Sequence, residues 1–254
     1  MEKFLAKHTT ATLQALLGGK RAVVALIPIG STEPHGPHLG LGTDVLISAA
    51  ACVKACELFD KRGPLAAVIA PAFNYGVTEC AAGFAGAVTV PAPVLTAYLS
   101  AVTESLLAQG LRHVCLVNNH LEPAHDAAVR AVAEGRTGKV SVACPLTKRW
   151  ARTLSAEFKS GACHAGQYET SIMMAAAPEL VDDEVRAHLP RVPISLSEKL
   201  RAGVTTFADM GMDLAYAGDP ASASVEEGER MIARLADMVL AEVREALGLA
   251  PAPV

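Results

Sequence analysis

Apolar residues fall into two kinds of run along this chain. Short, nearly uninterrupted ones occupy Ala22 to Ile29, Leu65 to Ala70, His113 to Asn118 and Lys139 to Cys144, the pattern of strands buried on both faces. Between them, at residues 44 to 59, 94 to 109 and 124 to 134, apolar positions recur with a helical period. Strand and helix therefore alternate. That alternation predicts an α/β fold, a three-layer α/β/α sandwich with a mostly parallel central sheet. The last third is helix-rich, with one pattern at 167 to 176 and a long one from Val225 to Leu247. Ser224 starts the long helix, and two acidic residues in its first turn complement the helix dipole.

No glycine–serine linker, proline-rich hinge or internal repeat divides the sequence, so residues 1–254 read as a single domain. Leu200 to Ser224 mixes glycines at 203, 211 and 218 with Asp219-Pro220, which suits a long loop able to cover a site as a lid. The prolines of Ala250 to Val254 predict a frayed tail.

Composition narrows the class of function. With 51% hydrophobic and 19% charged residues the chain has the content of a packed globule and not of a disordered segment. A formal charge of −4 without any Lys/Arg-rich run leaves no electrostatic footprint for nucleic acid or an anionic membrane. A small neutral or polar substrate is the expected partner. The first eight residues are interspersed with charge and no secretion-type apolar region follows. No window reaches the roughly 18 apolar residues of a membrane span. Cysteines at 52, 56, 80, 115, 144 and 163 are scattered through apolar segments, as reduced, packed thiols are. A cytoplasmic location is the expectation.

The densest chemistry directly follows the first strand: Pro28-Ile-Gly-Ser-Thr-Glu33-Pro-His35-Gly-Pro-His38-Leu-Gly-Leu-Gly-Thr-Asp44. Glu33 and His35 are two apart, so in extended backbone their side chains point the same way and can converge on one cation. Glycines and prolines let the loop turn back, bringing Asp44, at the start of the next helix, to the same point. Val117-Asn-Asn-His120-Leu-Glu122-Pro follows the third strand with the same alternation. If the strands are parallel, both clusters lie at their carboxyl ends, where open α/β sheets bind ligands. Two imidazoles and three carboxylates suit two cations better than one. Cys163-His164-Ala-Gly166-Gln-Tyr168-Glu169-Thr-Ser171 adds His164 and Glu169 as candidates for proton transfer and an extra ligand.

Taken singly, each residue has a plainer explanation. A lone histidine or carboxylate beside a turn is usually a cap or a surface group. Two such pairs, each behind an apolar strand, have few structural explanations, because a buried unpaired charge costs several kcal/mol. His38 faces away from its odd-numbered neighbours and reads as a loop-stabilising hydrogen-bond partner. His113 and His125 read as solvated, His8 and His188 carry no signal, and Cys52 with Cys56 reads as ordinary packing.

With these motifs in view, the sequence resembles the creatininase (creatinine amidohydrolase) family. The resemblance rests on the Glu33-to-Asp44 loop, Tyr75-Gly76 followed by Phe84-x-Gly86, Asn118-x-His120-x-Glu122, His164-Ala-Gly-x-x-Glu169-Thr-Ser171, and Gly218-Asp-Pro220 with Gly228. It implies a creatininase-like α/β/α sandwich, two divalent cations per subunit (zinc, with manganese or iron as alternatives) and a homo-oligomer, commonly a hexamer. It also implies that Glu33, Asp44 and His120 hold one metal while His35, Asp44 and Glu122 hold the other. His164, Glu169 and Glu122 become the candidate catalytic groups. Tyr75, Thr78, Leu121, Ser160, Gly161 and His164 become the candidate substrate contacts. Leu121, Ser160 and Gly161 stand where creatininase carries other residues, so creatinine itself is not the expected substrate.

The resulting expectation is a metal-dependent amidohydrolase cleaving a cyclic amide, formamide or related carbon–nitrogen bond with a metal-activated water. One alternative is a hydrolase or lyase acting on a modified sugar or a short peptide with the same dinuclear site. Another, of a different class, is a non-catalytic metal-binding assembly protein.

Overall fold

The structure, a computed structural model, describes residues 2–61 and 63–250. Its centre is a sheet of β1 (Ala22–Ile29), β2 (Leu65–Ile69), β3 (His113–Asn118) and β4 (Val140–Ala143), in the order β2-β1-β3-β4 with every neighbouring pair parallel. Helices α1 (Thr10–Leu17), α2 (Thr43–Lys61), α3 (Ala92–Ala108), α4 (Pro123–Ala133), α5 (Lys148–Ala151) and α6 (Ala156–Ser160) surround or connect these strands. They are followed by α7 (Gln167–Ala176), α8 (Asp183–Ala187), α9 (Leu196–Arg201), α10 (Phe207–Met210) and α11 (Val225–Ala246). No helix among the described residues is long and apolar enough to cross a membrane.

Successive side chains of a strand point to opposite faces, and here both faces are covered. Val24 and Leu26 of β1 pack with Ile47 and Ala51 of α2, Ile172 of α7 and Leu235 and Val239 of α11. Val23, Ala25 and Ile27 pack the other way, with Leu95 and Leu99 of α3 and Val129 and Val132 of α4. Gly228 lets α11 sit directly on α7, since a Cβ there would run into the carbonyl of Ser171.

The strand order creates the site. From β1 the chain turns into α2 on one face; from β3, the adjacent strand, it turns into α4 on the other. The two connections diverge and leave a crevice at the carboxyl ends of β1 and β3. Register brings those ends level, with Pro28 opposite Val117 and Ile29 opposite Asn118. The loops that begin at Gly30 and Asn119 therefore emerge side by side.

The first and third strands keep their expected bounds, and the second and fourth lose one residue at one or both ends. The five longer helices fall within two residues of their periodic patterns. Two expectations need correction. Residues 200–224 are not one long loop: they include α10 and the turn Pro220–Ser222. Phe207, Met210, Met212, Ala215 and Ala217 anchor this segment in an apolar cluster with Cys80, Ala81 and Ala162, so it is a packed wall. His113 and His125 are not solvated but fully buried. His113 lies within β3 and its Nε2 meets Ser141 Oγ at 2.8 Å, while His125 sits under the metal-centre candidates described below. The six cysteines are free thiols, five buried and Cys163 half-buried. The tail expected to fray, residues 251–254, lies outside the described residues.

Candidate metal centre

The loop after β1 is pinned from several sides. The Glu33 amide donates to the Leu41 carbonyl (3.0 Å), and the Gly36 amide to the Ala215 carbonyl (2.9 Å). Asp44 lies in the first turn of α2, where the helix dipole favours its charge, and one carboxylate oxygen accepts the Ser31 amide at 3.3 Å. This fold-back requires Gly30, because a Cβ there would lie 2.6 Å from that of Asp44. Glu33, His35 and Asp44 are each at most 1% exposed. Three ionisable groups thus share a volume from which water is excluded, and something must balance them.

The hydrogen bonds of the imidazoles show what that is. His35 Nδ1 lies 3.1 Å from the Glu33 carbonyl oxygen, and His120 Nε2 lies 2.7 Å from that of Val77. A carbonyl only accepts, so these nitrogens carry the proton and the opposite nitrogen of each neutral ring offers a lone pair. Those lone pairs face carboxylates. His35 Nε2 is 3.2 Å from Asp44 Oδ1, 3.7 Å from Glu169 Oε2 and 3.9 Å from Glu33 Oε1. His120 Nδ1 is 3.0 Å from Asp44 Oδ2 and 3.3 Å from Glu33 Oε1. Acceptors converging on acceptors, with backbone carbonyls fixing the tautomers, is the donor set of a divalent cation site.

Two sets share one residue. Ligand atoms of Glu33, Asp44 and His120 lie within 4.8 Å of one another, as do those of His35, Asp44 and Glu169, the two sets that share Asp44, and those of a third group, Glu33, His35 and His164. Asp44 turns Oδ1 toward His35 and Oδ2 toward His120. Glu169, in the first turn of α7, is held by the Ala165 amide at 2.6 Å. Ala165 has φ = 50°, a left-handed conformation rare for a residue with a side chain, so local strain accompanies this contact.

Glu122 stands elsewhere. It is not in either set. Its oxygens accept the amides of Glu79 and Cys80, each at 3.0 Å, and it borders the pocket beside His120. Glu169 stands with His35 and Asp44 in the set to which the resemblance assigns Glu122. His164 Nε2 donates to the Pro34 carbonyl at 3.0 Å, leaving Nδ1 directed at Glu33 Oε1, 3.8 Å away. His38, as expected, ties the loop down, with Nε2 2.9 Å from Thr170 Oγ1.

Without a cation, protons take its part. Burial works against charge on His35 and His120, but the facing carboxylates outweigh it, raising His35 to about 10 and His120 well above its usual value. Burial pushes Glu33 and Asp44 up, yet the imidazoles, His120 for Glu33 and both rings for Asp44, hold them below their ordinary range. Glu169 is raised to about 8 by burial, with Asp44 and Glu33 adding to it. Glu122 is raised by burial as well. His164 is lowered to about 4 by burial and the neighbouring His35, so its ring is neutral at physiological pH.

A layer beneath the ligands fixes them. The Thr78 hydroxyl donates to Glu33 Oε2, leaving Oε1 for the shared centre. Val77 is gripped twice, its carbonyl by His120 and its amide by His125 Nδ1 at 3.2 Å. The rings of His120 and His125 meet edge to face at 4.6 Å, and Gly76 makes room, since a Cβ there would collide with the His125 ring. Only its place beside the His120 motif hinted at this role for His125.

The centre forms the floor of a small pocket open to solvent, with a cavity volume of about 80 Å³. Of the sequence-derived substrate contacts, Leu121 and His164 line it, and Thr78 touches it through Glu33. Tyr75 is 54% exposed and, with Gly161, is not part of the wall, while Ser160 faces a separate cavity. In their place stand Cys80, Leu146, Cys163, Leu196, Leu200, Phe207 and Met210, none of which a motif singled out.

The chain's likeness to known proteins agrees with this geometry. The family profile described as creatinine amidohydrolase matches residues 6–243. A mycofactocin precursor peptide peptidase of Mycobacterium tuberculosis is 33% identical over 223 residues, covering 84% of this chain and 81% of the relative. A creatinine amidohydrolase of Pseudomonas putida is 26% identical over 189 residues, covering 66% and 70%. A solved structure of creatininase in a manganese form superposes with a TM-score of 0.68 at 22% identity, covering 97% of this chain and 99% of the other, and so shares the fold. The match along nearly the whole chain establishes that this protein belongs to the creatininase family of hydrolases.

Proposed function

We propose that this chain hydrolyses a carbon–nitrogen bond with the help of two divalent cations, one held by Glu33, Asp44 and His120 and the other by His35, Asp44 and Glu169. The observation that carries this reading is the placement of Asp44 between two imidazole lone pairs, at 3.2 Å from His35 and 3.0 Å from His120. When bound, such cations supply Lewis-acid charge and bring the pKa of water toward neutrality. The nitrogen and oxygen donors suit zinc, manganese or iron.

The remaining residues divide the proton work. Glu122, with two backbone amides fixing its oxygens and its pKa raised by burial, takes the proton of the attacking water and passes it to the departing nitrogen. His164 enters as a neutral ring with its proton committed to Pro34, so its Nδ1 accepts a hydrogen bond from the substrate amide and orients it. Thr78 and Val77 hold Glu33 and His120 in place.

The names of the relatives, creatinine amidohydrolase and precursor peptide peptidase, both denote cleavage of such a bond. They support a cyclic amide or a peptide as substrate. Assembly into a homo-oligomer belongs to the same reading; the exposed Tyr75, Val94 and Tyr98 supply an apolar surface for it, and light scattering on purified protein checks it.

Chelation followed by metal readdition, assayed by release of amine from a panel of cyclic amides, formamides and short peptides, tests the proposal. Activity lost and recovered with metal, and reduced about 10²- to 10⁴-fold by Glu122→Gln with metal content unchanged, is the expected result. Metal binding without turnover of any substrate indicates a non-catalytic binding protein instead.

A further inference from the structure

The walls above the ligand floor differ sharply from it in chemistry. Leu121, Leu146, Leu196, Leu200, Phe207 and Met210 form them, with the thiols of Cys80 and Cys163 between, and among the described residues no Lys or Arg lines the pocket. Ser197 also lines it. The apolar surface begins at the reacting groups. The Phe207 ring lies 4.4 Å from His164, which in turn lies 4.4 Å from His35. Phe207 is fixed there by its amide, which donates to the Cys80 carbonyl at 2.7 Å. At the mouth, Leu146 is 40% exposed, an arrangement whose cost falls when an apolar ligand covers it.

A polar or charged group placed against this wall would lose its water without gaining a hydrogen bond or counter-ion. From this we infer that the substrate is an uncharged amide bearing a bulky apolar group, the size of a leucine or phenylalanine side chain, next to the scissile bond, with α9 and α10 as the elements that select it. The inference rests on the proposed hydrolase activity for its reaction. The carbon–nitrogen bond breaks, the oxygen of water joins the carbonyl carbon, and the departing nitrogen leaves as an amine carrying water's proton.

The test is a series of blocked dipeptides, acetyl-Ala-X-amide, in which X is glycine, leucine, phenylalanine, lysine or aspartate. Cleavage by the metal-loaded protein is followed by mass spectrometry. Affinity for metal-free and metal-loaded protein is measured by calorimetry. Leucine and phenylalanine are expected to exceed lysine and aspartate by at least about 10-fold in kcat/KM and in affinity. Leu200→Asp is expected to cut the leucine-to-lysine ratio by about the same factor; should that variant fail to fold, the wild-type series decides alone. Equal or inverted preference overturns the inference and leaves the hydrolase reading intact. Selective binding with no cleavage leaves the inference standing and removes the hydrolase reading.

Discussion

The floor and the wall of the pocket are built on opposite principles. The floor gathers acids and imidazoles from three distant segments, the loop after β1, the turn after β3 and the start of α7, each side chain oriented by a backbone amide, carbonyl or hydroxyl. The wall gathers leucines, a methionine and a phenylalanine from segments 144–154 and 194–212, held by packing. Charge in a dry volume is expensive unless partnered, so the floor tolerates little substitution. An apolar wall keeps its character under exchange of one hydrophobic residue for another. On the proposed function the floor supplies the reaction chemistry and the wall the selection, with Leu121, between His120 and Glu122, as the point where the two join.

Breaking the floor at its shared residue has the largest expected effect. Asp44→Asn removes a ligand from both sets at once, and loss of activity by at least about 10³-fold with metal content near zero is expected, read by steady-state kinetics and elemental analysis. Retention of both ions by this variant contradicts the bridging role.

A smaller effect should come from beneath the floor. His125 touches neither proposed cation yet holds Val77, whose carbonyl sets the His120 tautomer. His125→Ala is expected to weaken metal affinity about 10- to 100-fold, measured by competition with a chelator, and His125→Asn to restore part of it. A purely packing role predicts lowered stability with unchanged metal affinity.

The mildest test changes only pH. His35 titrates near 10 in the folded, metal-free protein against 6.5 for the ordinary side chain, and Glu169 near 8 against 4.5. Between each pair of values the folded state binds more protons than the unfolded one, so stability falls as pH rises. Above about pH 6.5, where the buried neutral histidines His38, His113, His125 and His164 no longer oppose it, metal-free protein is expected to lose melting temperature up to about pH 8 through Glu169 and up to about pH 10 through His35. With cations in place of those protons, the metal-loaded protein should show a flatter profile, a contrast visible by calorimetry.

What could be read from the sequence follows the same division. β1 and β3 were legible to the residue because uninterrupted β-branched and aliphatic runs have one buried solution. Glu33, His35, Asp44 and His120 were legible because acids and imidazoles rarely follow such runs without a partner. Glu122 was legible as a group of the site, but its two-residue spacing from His120 does not reveal that the amides of residues 79 and 80 hold its carboxylate. His125 was hidden for a similar reason: a histidine in the first turns of a helix looks solvated until Gly76 is seen to lie over it. The wall was legible only as a segment, residues 200–224, able to cover a site, and not by its individual side chains. Phe207 and Met210 sit in a four-residue helix too short for any period, and a leucine lining a pocket carries the same signal as one in the core.

The central claim is that Asp44 joins two ion sites. Anomalous X-ray diffraction from crystals of the zinc- or manganese-loaded protein tests it directly. Two peaks are predicted, one among Glu33, Asp44 and His120 and one among His35, Asp44 and Glu169. A single peak, or a second ion that Asp44 does not bind, would contradict it.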